Sequence, residues 1–379
     1  MKLSDLQRNV PAWRGSAVLV AVTVFAIGVI YVAHDLNTST SALSLSTGSS
    51  TPALMASTHT ATTTKPTISA TATTTPKKTV VAGVPVTKLP TTPTVSSSAL
   101  AAQQLDGAGS HLLASIVNIV CLSGNPSIPS ISGSGVIVDS RGIILTAAHV
   151  AQLFLLQDYL GPNQVTCLVR DGSPARRAYT AEPIYVSPSW VRANPDTLSS
   201  ASPTGTGQND FAFLAITGTA TSTPVPSSFP FLPLTQTDPQ LNEPVAIGSY
   251  GAQYLTSTEL NYSLYPILVF GSINDRYTFD TTTVDLISVE GSAASQEGSS
   301  GGGMVDASGD LVGTITTSSL NGSISQRQLN AVTPGHMRRS FAADMGGQDL
   351  DSYLAGNSIT TLIANFKNEA SNLAQTINH

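Results

Sequence analysis

The chain has 379 residues and a formal net charge of -6, from 17 lysines and arginines against 23 aspartates and glutamates. Charged residues are only 11% of it, and no basic stripe offers a footprint for nucleic acid. The length suggests two or three domains, and composition shifts too sharply along the chain for one globular body.

Residues 1–15 carry Lys2, Arg8 and Arg14 against one acid, Asp5. Residues 15–33 (GSAVLVAVTVFAIGVIYVA) hold no charge. At about 1.5 Å per residue such a run nearly crosses a hydrocarbon core of about 30 Å. The reading is a cytoplasmic segment 1–15 and a transmembrane helix 16–33. The cationic flank keeps the N-terminus in the cytoplasm and places the rest outside, in a periplasm or at a cell surface. A cleaved signal peptide is the alternative; the run is long for one, and Tyr31 stands where cleavage wants a small residue.

Residues 34–104 are dominated by Thr, Ser, Ala and Pro. They cannot bury enough apolar surface to offset their ordering entropy, so they read as a disordered linker. Cys121 and Cys167 are the only cysteines. An even count outside the cytoplasm favours a Cys121–Cys167 disulfide over two buried thiols. Two thiols make a poor metal site, and nothing in the chain calls for a metal or other cofactor.

Residues 105–346 show short apolar runs between turn residues: 116–122, 135–138, 143–146, 165–169, 211–216, 244–248, 266–270, 283–288 and 311–315. That pattern predicts an all-β sandwich or barrel, large enough for two small barrels. Residues 347–379 form a helical tail. Ile359, Leu362, Ile363, Phe366, Leu373 and Ile377 recur at helical spacing behind Asn357 or Ser358 as a cap. This stripe either packs on the β body or serves self-association.

Three local patterns carry chemistry. Residues 145–150 (LTAAHV) place His149 after an apolar strand. Residues 209–214 (NDFAFL) place Asp210 just before another. Residues 298–303 (GSSGGG) surround Ser300 with glycines. A serine hydroxyl is a weak nucleophile at neutral pH and needs an imidazole to take its proton. A carboxylate then fixes the imidazole's tautomer and stabilises the imidazolium.

In the order His, Asp, Ser these motifs resemble those of the chymotrypsin-like serine proteases. Residues 133–150, 306–317 and 329–334 resemble the HtrA/DegP-like branch, here with no PDZ domain following. The resemblance implies two six-stranded antiparallel β-barrels with a C-terminal helix. It implies a triad of His149, Asp210 and Ser300 and an oxyanion hole from the N–H groups of Gly298 and Ser300. Carried over by position, Thr316 contacts the triad Asp, and Thr316, Thr317 and Ser318 pair with substrate backbone. Ala294 lies near the base of the S1 pocket and Leu329 on its wall, which implies a small or aliphatic P1 residue. Ser299 replaces the usual acid before the nucleophile, which removes a trypsinogen-like activation switch, and Gly303 replaces the usual Pro. The implied function is a membrane-anchored serine endopeptidase acting on polypeptides. The altered nucleophile loop leaves a latent or inactive scaffold as the alternative.

Overall fold

The structure, a computed structural model, describes residues 87–88, 99–200, 205–280, 282–318 and 323–377. The expected span 16–33 lies outside them, as does most of the expected linker. Among the described residues no helix is long and apolar enough to cross a membrane.

Six antiparallel strands close the first barrel: β2 (Ile116–Ser123), β3 (Ile131–Asp139), β4 (Ile143–Thr146), β5 (Val165–Asp171), β6 (Arg177–Val186) and β7 (Ala212–Thr219). Their order around the barrel is β2-β3-β4-β7-β6-β5. Val117, Ile119, Val136, Ile144, Val169 and Phe213 are fully buried. Cys121 and Cys167 face each other directly across β2 and β5, with Cα atoms 4.0 Å apart, and are joined by a disulfide. The bridge spans a sequence separation of 46, a loop for which chain entropy gives up to about 4 kcal/mol of stabilisation.

The second sheet differs from the expected closed six-stranded barrel. It has eight strands in the order β1-β10-β11-β14-β13-β12-β8-β9 and does not close. Its members are β1 (Thr87–Lys88), β8 (Pro244–Ser249), β9 (Ile267–Ser272), β10 (Asp275–Thr278), β11 (Leu286–Val289), β12 (Gly303–Val305), β13 (Leu311–Ser318) and β14 (Leu329–Val332). Helix α1 (Ala99–Ser115) lies across β8 and β9. Its Leu112 is fully buried against Gly248, and its Gly109 meets Leu268 and Phe270. It begins at Ala99, inside the stretch read as linker.

Helix α2 (Ala148–Tyr159) follows β4 directly. Ala148, Val150, Ala151, Leu153, Phe154, Leu155 and Leu156 are all buried. A helix apolar on nearly every side shows no amphipathic period, which is why the sequence pattern hides it. The short helices α3 (Pro188–Ala193) and α4 (Ser257–Tyr262) come next.

The chain ends in three helices rather than one: α5 (Pro334–Asp344), α6 (Leu350–Gly356) and α7 (Ile359–Ile377). Ser358 caps α7, its hydroxyl accepting the Thr361 N–H at 3.2 Å. Leu362, Phe366, Leu373 and Ala374 are buried on the body, and α7 packs on β6, α2 and α3. The stripe therefore faces inward, and the structure gives no support for self-association through it. Asp344, at the end of α5, accepts hydrogen bonds from Tyr185 (2.8 Å) and Ser189 (2.5 Å), tying this region to β6 and α3.

Candidate active site

The first turn of α2 sets His149. Its N–H donates to Asp210 Oδ1 at 3.0 Å, and its Nδ1 lies 2.8 Å from Asp210 Oδ2. Both carboxylate oxygens therefore hold the same residue, one by backbone and one by ring. The side chain of Asp210 is 5% exposed and that of His149 28%, so the acid is sealed in while the ring reaches the surface. Burial acts to lower the His149 pKa, but the charge and hydrogen bond of Asp210 outweigh it and the net shift is upward.

Asp210 is placed by a tight turn. Its N–H donates to Gly207 O at 3.1 Å, and the Phe211 N–H reaches back to Asn209 O at 2.9 Å. Gly207, at the end of the Ser/Pro/Gly-rich stretch before Asp210, is buried, with Thr316 Oγ1 2.8 Å from where a Cβ would stand. The Thr316 hydroxyl itself is buried without a hydrogen-bond partner. The contact expected between it and Asp210 is thus not a hydrogen bond here.

The loop around Ser300 rests on the first barrel through Ser134, which sequence reading passed over. The fully buried Ser134 donates its hydroxyl to Gly298 O at 2.7 Å and its N–H to Ser300 O at 2.7 Å. It accepts the Tyr250 N–H on the same hydroxyl at 2.8 Å and the Thr146 hydroxyl on its carbonyl at 2.7 Å. One residue of β3 so ties the Ser300 loop to the strand end three residues before His149. The stretch 133–135 belongs to a recognisable motif, but its partner Gly298 stands 164 positions away.

Gly298 and Gly301 have φ of +90° and +86°, a region that side chains avoid. A Cβ at Gly301 would stand 2.0 Å from Ser134 O. The Glu297 carbonyl accepts the Ala252 N–H at 2.8 Å, so in a trans peptide the Gly298 N–H points the other way. Among the described residues neither the Gly298 nor the Ser300 N–H donates to any group. Nor, among the described residues, does Ser300 Oγ hydrogen-bond His149; such contacts commonly tighten only in the complex.

Both departures in the loop are absorbed by packing. Ser299 is buried and pairs its hydroxyl with that of Ser249 at 3.0 Å, a neutral contact where an acid would need a cation. At Gly303 a Cβ would stand 2.7 Å from Leu311 and 2.8 Å from Val136, so the close approach of the barrel and the second sheet excludes a side chain.

Ala294 and Leu329 are both buried in the core of the second sheet. The buried Arg327 donates to the carbonyl of Ser295, next to Ala294, at 2.8 Å and to Gln253 at 2.7 Å. Strand β13 pairs with β14 through Thr317 opposite Asn330 and Ser318 opposite Leu329, with Thr316 at a bulge. Sequence reading also passed over Trp190, buried in α3 with its ring centroid 6.5 Å from that of His149.

A closed antiparallel barrel thus lies beside a second sheet, with a buried carboxylate oriented on a histidine. Residues 133–313 match the family model of the Trypsin-like peptidase domain. No curated protein matches the chain. Among solved structures it is similar to the active form of the Rv3671c protease from M. tuberculosis, at 18% identity and TM-score 0.41, covering 70% of this chain and 94% of that one. The inactive form of that protease gives 16% identity and TM-score 0.40, covering 67% and 99%. The serine endoprotease from Yersinia pestis gives 19% identity and TM-score 0.38, covering 72% and 68%.

Proposed function

We propose that this chain is a serine endopeptidase that hydrolyses polypeptides through His149, Asp210 and Ser300. The observation that carries the reading is the double hold of Asp210 on His149, 3.0 Å to its N–H and 2.8 Å to its Nδ1, in a domain that matches the trypsin-like peptidases. His149 takes the Ser300 proton as Oγ attacks the scissile carbonyl, then returns it to the leaving amine. Water, deprotonated by the same imidazole, hydrolyses the acyl-enzyme. The Gly298 and Ser300 N–H groups, free of partners among the described residues, receive the oxyanion.

The raised His149 pKa keeps the imidazole basic enough to hold the proton between these steps. Asp210 carries the opposite charge at the developing imidazolium. Strand β12 pairs with β13 only as far as Thr314, and beyond that point Thr316, Thr317 and Ser318 pair with the substrate backbone.

The enzyme is read as membrane-tethered, by residues 16–33, with its peptidase domain extracytoplasmic. The uncharged run behind a cationic flank supports the tether, and the Cys121–Cys167 disulfide supports an oxidising compartment. A small or aliphatic P1 residue fits the uncharged Ala294. The cation of Arg327 bonds that segment and weighs against Lys and Arg at P1, while the nearby acids Glu290 and Glu297 weigh the other way. A peptide library incubated with the purified domain and read by mass spectrometry tests this. The expected result is internal cleavage after small or aliphatic residues; cleavage mainly after Lys or Arg would contradict the pocket assignment, and no cleavage the activity itself.

A further inference from the structure

Behind the Asp210 turn lies a second histidine that the proposed reaction does not use. Thr333 caps α5: its hydroxyl accepts the His336 N–H at 3.2 Å and donates to Val284 O at 2.7 Å. Pro334 occupies the first turn, where a missing N–H costs nothing. This anchored turn presents His336, which is 7% exposed, to two groups at once. Its Nε2 lies 2.9 Å from Asn209 Oδ1, and its Nδ1 lies 3.3 Å from Asp285 Oδ1. The Phe279 ring packs against the imidazole in a T-shaped pair, with centroids 5.0 Å apart.

Asp285 is a rigid anchor. It is 1% exposed, and its carboxylate accepts the Phe279 N–H at 2.7 Å, the Thr283 and Thr278 hydroxyls at 3.0 and 3.1 Å, and Arg339 at 2.5 Å. Burial would raise its pKa, but bonds from His336, Phe279 and Arg339 outweigh it and hold the carboxyl far below the usual range. Asn209, at the other end, has φ of +58°. A left-handed backbone costs a residue other than Gly on the order of 1–2 kcal/mol, which Asn bears better than most. Asn209 immediately precedes Asp210, so rotation about it would swing the carboxylate away from His149.

We propose that His336 is a positioning residue for Asp210: braced by Asp285, it clamps the Asn209 side chain and so fixes the turn that aims Asp210 at His149. Helix α5 thereby carries part of the geometry of a pair that lies on the other sheet. The inference rests on the assignment of His149 and Asp210 above. It makes the region after β14 a contributor to turnover although none of its residues touches substrate.

Two single variants test it. His336→Ala removes the clamp and its packing. Asn209→Gly removes the clamp while keeping a backbone at ease with positive φ. Each is expected to lower kcat roughly ten- to hundredfold, the scale of a misplacement of about 1 Å, with KM within about twofold. The double variant should cost no more than either single one, as expected for two ends of one contact. His336→Gln, which can still offer a donor to Asn209, should recover most of the loss.

The second readout is the NMR titration of His149 in the free protein, whose midpoint should fall in both single variants as Asp210 loses its aim. Folded variants with an unchanged His149 titration would overturn the proposal, as would fully additive losses in kcat. If the wild-type protein shows no turnover, the proposed activity fails, while the titration still decides the role of His336.

Discussion

Replacing Ser300 by Ala should lower kcat by about 10^6-fold, the scale seen when a triad nucleophile is removed, while leaving the fold intact. Ser300 is only partly buried, and the loop is held by its backbone carbonyl on Ser134 rather than by its hydroxyl. Losing Oγ therefore removes no bond that supports the structure, and stability should stay within about 0.5 kcal/mol of the parent. Substrate affinity should survive as well, because the proposed substrate contacts at Thr316, Thr317, Ser318 and Ala294 are untouched. Residual turnover within tenfold of the parent, from protein shown free of contaminating protease, would assign the chemistry elsewhere.

Replacing Asp210 by Asn should lower kcat by about 10^4-fold. The carboxylate accepts two bonds from His149. An amide has one acceptor oxygen, and its NH2 would face either the His149 N–H or Nδ1, favouring the wrong ring tautomer. The change also has a signed pH effect. His149 must be neutral to accept the serine proton, so activity rises as pH passes upward through its pKa. In the parent, burial lowers that pKa and Asp210 more than restores it. Without the charge the lowering remains, so the acid limb of the kcat/KM profile should move to lower pH as its height collapses. A limb that moves upward, or a loss below tenfold, would show that Asp210 does not govern His149.

The site was legible in the sequence where its residues are contiguous. The stretches around His149, Asp210 and Ser300 each carry their own signature because each fuses a strand end to a turn, and the fold brings the first two together as expected. What joins them was not legible. Ser134 works through Gly298, 164 positions along the chain, and His336 reaches Asn209 across 127. Local patterning cannot report such pairs.

The fold divides in the same way. The strands of the first barrel show as apolar runs except β6, whose stretch RAYTAEPIYV alternates and carries Pro183. The three-residue β12 and four-residue β10 are too short to show a period. Helix α7 was visible because it shows one face to the core and one to solvent. Helix α2 was not, because nearly every residue of it is buried. Ala294 could be singled out in the sequence, but the bond from Arg327 to the neighbouring Ser295 carbonyl is seen only in the fold.

The most direct test of the central claim is covalent. A fluorophosphonate reacts only with a serine that has both an activated hydroxyl and donors for the oxyanion. Incubated with the folded protein and mapped by peptide mass spectrometry, it should form a single adduct on Ser300. The adduct should be lost in Ser300→Ala and form far more slowly in Asp210→Asn. Folded wild-type protein that stays unlabelled, or is labelled at a different serine, would contradict the account.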